Sequence, residues 1–465
     1  MKKFKWTLAL LLFGALLYAT EKKQVKKSFD IEPGKLVDIE TVSGMDVQVK
    51  SWDKPEVYID LEIKVTCSDD EFESKYVEKF DITGRERISS VFIAFEEEDQ
   101  DNGWSFWDIF KGKFYYSFTK EITGEIYVPK SNGLKADFRY SDIELNDFSG
   151  ELNLLGRSND LYLDNCPNVF SIENDYGKNF ISNCGGKLTL DSRSGEIHIS
   201  EFNGPARISA DYARIDIRAV TGNLDISTRS AKVKIEDVDG SLDLKADYSE
   251  VTLTKVSGYV NTSNRSGSVT VNDVGGIKVD APYTKIWIDG VTGKEAKDIQ
   301  IYDQSGKIQI QNATGRILID DKYSDITLKN IEGHVIIETQ SSKINGEKIN
   351  GNWKSDSKYS SVRISRLTAD EIIIDNQSDV VDIATSKIPS YVNIKNSYGS
   401  VDFNMPKGFP GNIFLTALYG DIRSNLPMNT HKEGSTTKAK FENGSGSSKI
   451  YIETKSGNIG IKEGI

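Results

Sequence analysis

RIDIRAVTGNLDISTRSAKVKIEDVDGSLDLKADYSEVTL, from Arg214 to Leu253, carries the pattern that decides the fold. Ile215 and Ile217 are followed by Leu224 and Ile226, and one repeat later Val233 and Ile235 are followed by Leu242 and Leu244. Each pair has period two, the mark of a short strand with one face buried. Between the pairs stand Thr221-Gly222, Asp239-Gly240 and Ser257-Gly258, read as tight corners where glycine takes positive φ. Working outward, one apolar ladder holds the 18-residue step: Phe148, Cys166, Cys184, Phe202, Val220, Val238, Val256 and Val274. The unit is strand, corner, strand, corner. The expected fold is all-β, a single-stranded β-helix (β-solenoid) of about 18 residues per rung, right-handed.

A second ladder says how units stack. Tyr140, Ser158, Tyr176, Ser194, Tyr212, Ser230, Tyr248 and Ser266 alternate, preceded from Ser158 onward by Arg157, Asp175, Arg193, Asp211, Arg229, Asp247 and Arg265. The full repeat is therefore two units, which fits one 18-residue rung with alternating contents or one large 36-residue rung. An 18-residue rung lays each Arg over an Asp on a strand about 4.8 Å away, and a 36-residue rung lays like on like. Opposite charges on neighbouring strands stabilise by a few tenths up to about 1 kcal/mol, which favours 18. Alternation left by duplication of a two-unit ancestor is the competing explanation. Roughly sixteen rungs give an expected column on the order of 75 Å.

Apolar residues are only 38% of the chain and charged residues 28%, as expected where a narrow core faces only alternate strand residues. Lys+Arg 58 against Asp+Glu 70 gives a net charge of -12, which argues against nucleic acid or an anionic membrane as partner. Three His leave little for a histidine-rich metal site. No cofactor is expected.

Residues 1–20 read as a signal peptide: Lys2, Lys3 and Lys5 precede an apolar run from Leu8 to Ala19, too short to span a bilayer comfortably. An uncleaved anchor is the alternative. The mature chain has no other apolar window of membrane-spanning length. Its expected location is the periplasm, the cell surface or the exterior, and it is expected to be monomeric. Residues 21–134 form an N-terminal β region, residues 135–428 the repeats, and residues 429–465 a loop and closing strands.

VKKSFDIEPGKLVDIETVSGMDVQVKSWDKPEVYIDLEIK, residues 25–64, breaks alternating strands at Pro33-Gly34, Ser43-Gly44 and Asp53-Lys54-Pro55. A strand ending at Pro-Gly, a Ser-Gly corner and a Trp-Asp turn resemble the opening of the DUF4097 family of adhesin-like proteins. The later Ser-Gly and Thr-Gly corners resemble that family's β-solenoid. The resemblance implies a fold and an adhesin-like role, and carries no catalytic residues.

Between about Cys67 and Phe118 the pattern is interrupted by an acidic run, Glu96 to Asp101, and by WSFWDIFKGKFYYSF from Trp104 to Phe118. Read structurally, this is a hairpin capping the first rungs. Read functionally, Trp104, Phe106, Trp107, Tyr115 and Tyr116 form an aromatic binding platform for a glycan, peptide or lipid headgroup. The acidic run lacks the spaced oxygens and glycine of a calcium loop.

After Val274 the rungs continue with Tyr283, Tyr323, Tyr359, Tyr398 and Tyr419 at the Tyr position and Ser305 and Ser341 at the Ser position. An insertion around residues 294–297 reads as an outward loop. The Gly, Ser, Thr and Lys rich segment Asn429 to Ser448 reads as a loop, and Lys449 to Ile461 as the turn that closes the column. Cys166 and Cys184 share an inward position on successive units. An 18-residue rung in an oxidising compartment allows a disulfide between them, with two buried thiols the equal alternative and Cys67 left over.

No nucleophile, base and orienter set is readable, since His198, His334 and His431 fall on different rungs, and the chain is expected not to be an enzyme. Pectin-degrading β-helices are the enzyme alternative, but the corners here are mostly two residues long. Asp175, Asp211 and Asp247 align two rungs apart with Arg between them, a structural ladder. Two classes stay open: an adhesin-like or structural surface protein meeting a glycan or envelope protein, and a periplasmic accessory or sensory scaffold.

Overall fold

The computed structural model describes residues 21–41, 44–67, 70–97, 118–292, 298–443 and 446–464. The signal-like residues 1–20, the aromatic residues 104–116 and the insertion at 294–297 lie outside these. Strand makes up 71% of the chain and helix 2%, wound as a β-solenoid of about 15 turns spaced ~18 residues apart. The chain divides into two compact units, Met1–Asp160 and Leu161–Ile465.

In the first unit, Glu21–Asp30 runs antiparallel to Glu56–Cys67, which runs antiparallel to Phe118–Pro129. Met45–Trp52 then pairs in parallel with Phe118–Pro129, and Leu36–Glu40 with Leu134–Arg139, the change from hairpins to winding. The segment that interrupts the repeat pattern contributes a helix, Asp70–Lys79, with Tyr76, Val77 and the following Phe80 buried. It also contributes an antiparallel pair, Asp81–Glu86 with Ser90–Glu96.

In the second unit the pairing is parallel and in register from one repeat to the next: Ile215 lies beside Val233, which lies beside Val251. This selects the 18-residue rung. The expected ladder is the core, with Phe202, Val220, Val238, Val256 and Val274 all at most 2% exposed. The corners follow expectation only in part. Gly222 takes the expected positive φ, 144°, but a left-handed residue also stands just before the ladder in each turn, Glu201, Ala219, Asp237, Lys255 and Asp273, with φ between 53° and 58°. Gly240 and Gly258 have no positive φ. They serve close approach instead: a Cβ on Gly240 would sit 2.2 Å from the carbonyl oxygen of Gly222, and one on Gly258 2.5 Å from that of Gly240.

The C-terminal segment departs further from its reading. Asn429–Glu433 and Thr436–Glu442 are antiparallel strands rather than loop. The second pairs with Gly411–Ala417 and buries Thr437 and Ala439 by ordinary alternation. The turn expected to close the column lies inside it. Ser448–Thr454 is flanked by Tyr391–Tyr398 on one side and Gly411–Ala417 on the other. Ile459–Glu463 is likewise flanked by Val401–Met405 and Ile422–Ser424.

Candidate functional site

The corner that ends every second turn of the second unit carries an exposed tyrosine. Tyr176, Tyr212, Tyr248, Tyr283, Tyr323, Tyr359, Tyr398 and Tyr419 are between 44% and 66% exposed. Tyr176, Tyr212 and Tyr248 are held in the left-handed region, φ 55° to 61°, where a bulky residue is disfavoured by roughly 1–2 kcal/mol. The backbone fixes the corner from turn to turn. Tyr212 N–H donates to Arg229 O at 2.8 Å and Ser230 N–H to Asp247 O at 2.9 Å.

In space the row is strictly alternating. Ser266 pairs with Tyr283, Tyr359 with Ser378, and Ser378 with Tyr398. At the displaced C-terminal turn the order persists. Asn396 pairs with Thr454 and Thr454 with Ala417, which sets Ser456 between Tyr398 and Tyr419. That turn is out of chain order, so tandem duplication alone does not produce the alternation there. Ring crowding does not require it either. On a sheet of the same unit Tyr162, Phe180 and His198 stack on consecutive turns, centroids 5.1 and 4.8 Å apart with the ring planes nearly parallel.

Polar side chains brace the rings from the intervening turns. The Arg265 guanidinium lies 5.8 Å over the Tyr248 ring centroid and 3.7 Å from the Asp247 carboxylate. Tyr283 and Tyr323 hydroxyls donate to Gln304 and Gln340 at 3.0 and 3.2 Å. Arg229 pairs in register with Asp247, so the Asp and Arg of this edge alternate as an 18-residue rung requires.

Trp104, Phe106, Trp107, Tyr115 and Tyr116 lie outside the described residues. Cys166 and Cys184 lie on adjacent turns as thiols, with Cys166 N–H 3.4 Å from Cys184 Sγ. Hydrogen bonding from Cys166 pulls the Cys184 thiol below its ordinary range, against the opposing effect of burial. His198 lies 3.5 Å from Glu196, His334 Nδ1 accepts from Asn352 N–H at 3.0 Å, and His431 is exposed on the added hairpin. Among the described residues no three His, Cys, Asp or Glu gather to hold a metal, and no helix is long and apolar enough to cross a membrane.

Each unit holds a further side-chain grouping. In the first unit Trp52 packs tilted against Tyr127, ring centroids 5.0 Å apart, and its indole N–H donates to Glu56 O at 2.8 Å, pinning the Trp-Asp turn. In the second unit a surface notch of about 320 Å³ is lined by Lys329, Glu347, Arg363 and Asp382 together with Leu328 and Ile364. Burial, then the neighbouring Asp402, raises the Asp382 carboxyl.

The sequence profile of the Toastrack DUF4097 family matches residues 36–283 and 275–462. None of the curated proteins compared with the chain matches it. Among solved structures, that of a "putative cell adhesion protein" from Clostridium sporogenes aligns over 95% of this chain and 100% of its own, at 9% identity and a TM-score of 0.12.

Proposed function

Because the chain belongs to the Toastrack DUF4097 family, whose β-solenoid presents repeated edges rather than a cleft, we propose that it is an exported, non-catalytic, adhesin-like protein that binds through its tyrosine edge. The observation that carries this reading is the alternation of Tyr and Ser, kept even where the turn containing Ser456 is inserted out of chain order. Backbone strain at Tyr176, Tyr212 and Tyr248 points the same way, since Ser158 and Ser230 make the same left-handed turn without a large exposed ring. Eight exposed rings in a row make a surface of the kind that marks an interaction site. Among the described residues the corners between turns are short, with no long loops to wall a catalytic cleft.

A binding screen of the full chain against glycans and matrix proteins tests this. The wild type should retain a ligand that the Tyr212→Ser/Tyr248→Ser/Tyr323→Ser variant loses, with both melting alike. Retention by the variant equal to that of the wild type would move the site elsewhere. Labelling of intact cells with an impermeant reagent tests the location: an adhesin must be reached from outside, and protection from the reagent would favour a periplasmic scaffold.

A further inference from the structure

We propose that the tyrosine edge between Asp175 and Ser266 pairs with the same edge of a second copy of this chain, rings of one copy entering the serine gaps of the other.

The shape of the edge comes first. Rings on every second turn stand about 9.6 Å apart, two strand spacings, with a serine between. The stack of Tyr162, Phe180 and His198 shows that this backbone accepts rings on consecutive turns, so the gaps are not forced by crowding. Arg265, one turn on, lies over the face of the Tyr248 ring. That ring therefore turns its face along the succession of turns and its edge outward. Such rings are fins with slots between them, poor as a flat platform for a sugar. They suit planar side chains delivered at the same two-turn interval, and a second copy of the edge has that interval by construction.

The charges select the register. Along the six turns the residues before the corner are Asp175, Arg193, Asp211, Arg229, Asp247 and Arg265. A two-fold axis between the turns of Tyr212 and Ser230 sets Tyr212 opposite Ser230, Tyr248 opposite Ser194, and Tyr176 opposite Ser266. The same operation sets Asp211 opposite Arg229, Asp247 opposite Arg193, and Asp175 opposite Arg265. Every ring meets a gap and every charge meets its opposite, as a self-complementary two-fold contact requires. Sliding the copies by one turn sets ring on ring and like charge on like charge, which rejects the wrong register. Beyond Ser266 the corresponding residues are Pro282, Gln304, Lys322, Gln340 and Lys358, so the alternating charge ends there. Within one chain the Arg265 and Asp247 pair is exposed and weak, which leaves its partners exchangeable. A contact one corner wide and six turns long belongs with small, transient interfaces. It becomes strong when many copies on one surface meet many on another.

The inference rests on the tyrosine edge being the contact face, and its test needs no other ligand. Full chain is coupled to beads and clumping is counted. Wild-type beads should clump, and less so as salt is raised; Tyr212→Ser/Tyr248→Ser beads should disperse. Beads carrying Asp175→Arg/Asp211→Arg/Asp247→Arg, and beads carrying Arg193→Asp/Arg229→Asp/Arg265→Asp, should each disperse alone and clump when mixed. The mixture regains what each has lost, so misfolding cannot mimic the result. Dispersed wild-type beads would overturn the pairing even if the binding screen found a ligand. Clumping of either reversed population alone, or a mixture that stays dispersed while both variants melt like the wild type, would overturn it too. Clumping alongside an empty screen would leave the self-contact as the adhesive activity.

Discussion

Asp303 and Asp321 occupy the same inward position on adjacent turns, and the Ser324 hydroxyl lies 2.6 Å from a carboxylate oxygen of each. Asp321 also accepts from Ser324 N–H at 2.9 Å, from the Ser342 hydroxyl at 2.7 Å and from the Thr339 hydroxyl at 3.2 Å. Asp303 is 5% exposed and its other carboxylate oxygen meets no hydrogen-bond partner. Burial pushes it up to about 6, with the charge of Asp321 adding to the rise and hydrogen bonds from Ser324 and the Gln304 and Ser305 backbone opposing it.

The sign of the pH dependence follows. The folded pKa of Asp303 lies above the ordinary carboxylate value near 3.8, so folding takes up a proton between these limits. Its contribution to stability is complete below about pH 4 and is lost as pH rises through about 6, worth about 3 kcal/mol over the interval. Thermal melts of the wild type and Asp303→Asn across pH 4 to 7.5 isolate this group from carboxylates that titrate the other way, such as Asp60 beside Lys26. The difference should grow in favour of the variant as pH rises, and a difference independent of pH would rule out a raised Asp303 carboxyl.

The corner glycines give a steric prediction. Gly240→Ala drives a methyl group to 2.2 Å from the Gly222 carbonyl oxygen, and neither backbone can withdraw without breaking the 18-residue register. Overpacking of this kind costs about 1–3 kcal/mol. Gly408→Ala meets nothing within 4 Å and carries only the penalty of its left-handed φ of 88°. Denaturant melts should show the Gly240 variant as the less stable of the two.

The core was legible because its signals repeat. Val220, Val238 and Val256 mark one column wherever the chain is sampled, and the opposed Arg and Asp between Tyr and Ser corners select the rung length. Asp303 and Asp321 escaped because an Asp before Gln304 or Lys322 looks like the exposed Asp of Asp211-Tyr212. Counting back one repeat from Asp321 to Asp303, and then on through Ala281, Asn264 and Ala246, would have placed them on an inward column. The displaced C-terminal turn was not legible, since Lys449 to Ile461 reads as an ordinary turn and nothing local says between which neighbours it lies. The edge was visible as letters, but its exposure was not, because Tyr suits an inward and an outward position equally well.

Cys166 and Cys184 supply a redox prediction, motivated by Cys166 N–H lying 3.4 Å from Cys184 Sγ. The hydrogen bonding that favours the Cys184 thiolate makes it the first sulfur to react once an oxidant reaches the core. Peptide mapping without reduction, on protein recovered from an oxidising compartment, should return a crosslink between these two. Recovery of both as thiols after prolonged oxidation would assign them to core filling alone.

The segment after Asn443 is late in sequence and interior in structure, and removing it should behave accordingly. Ile450, Ile452, Ile459 and Ile461 are at most 2% exposed, and their strands are paired on both sides. Burying each is worth about 1.5–3 kcal/mol, together on the order of 6–12 kcal/mol, as much as the whole stability of many domains. Truncation also opens two facing pairs of strand edges, Tyr391–Tyr398 with Gly411–Ala417 and Val401–Met405 with Ile422–Ser424, where trimming an outermost strand opens one edge only. A chain ending at Asn443 should therefore aggregate or exchange its amides rapidly around residues 391–417. Because the lost piece is two strands entering a parallel slot, a synthetic peptide of residues 446–464 should restore protection there by strand addition. Hydrogen exchange of the truncated chain with and without that peptide measures it; slow exchange at residues 391–417 without the peptide would show that the two edges close on each other and that the inserted turn is dispensable.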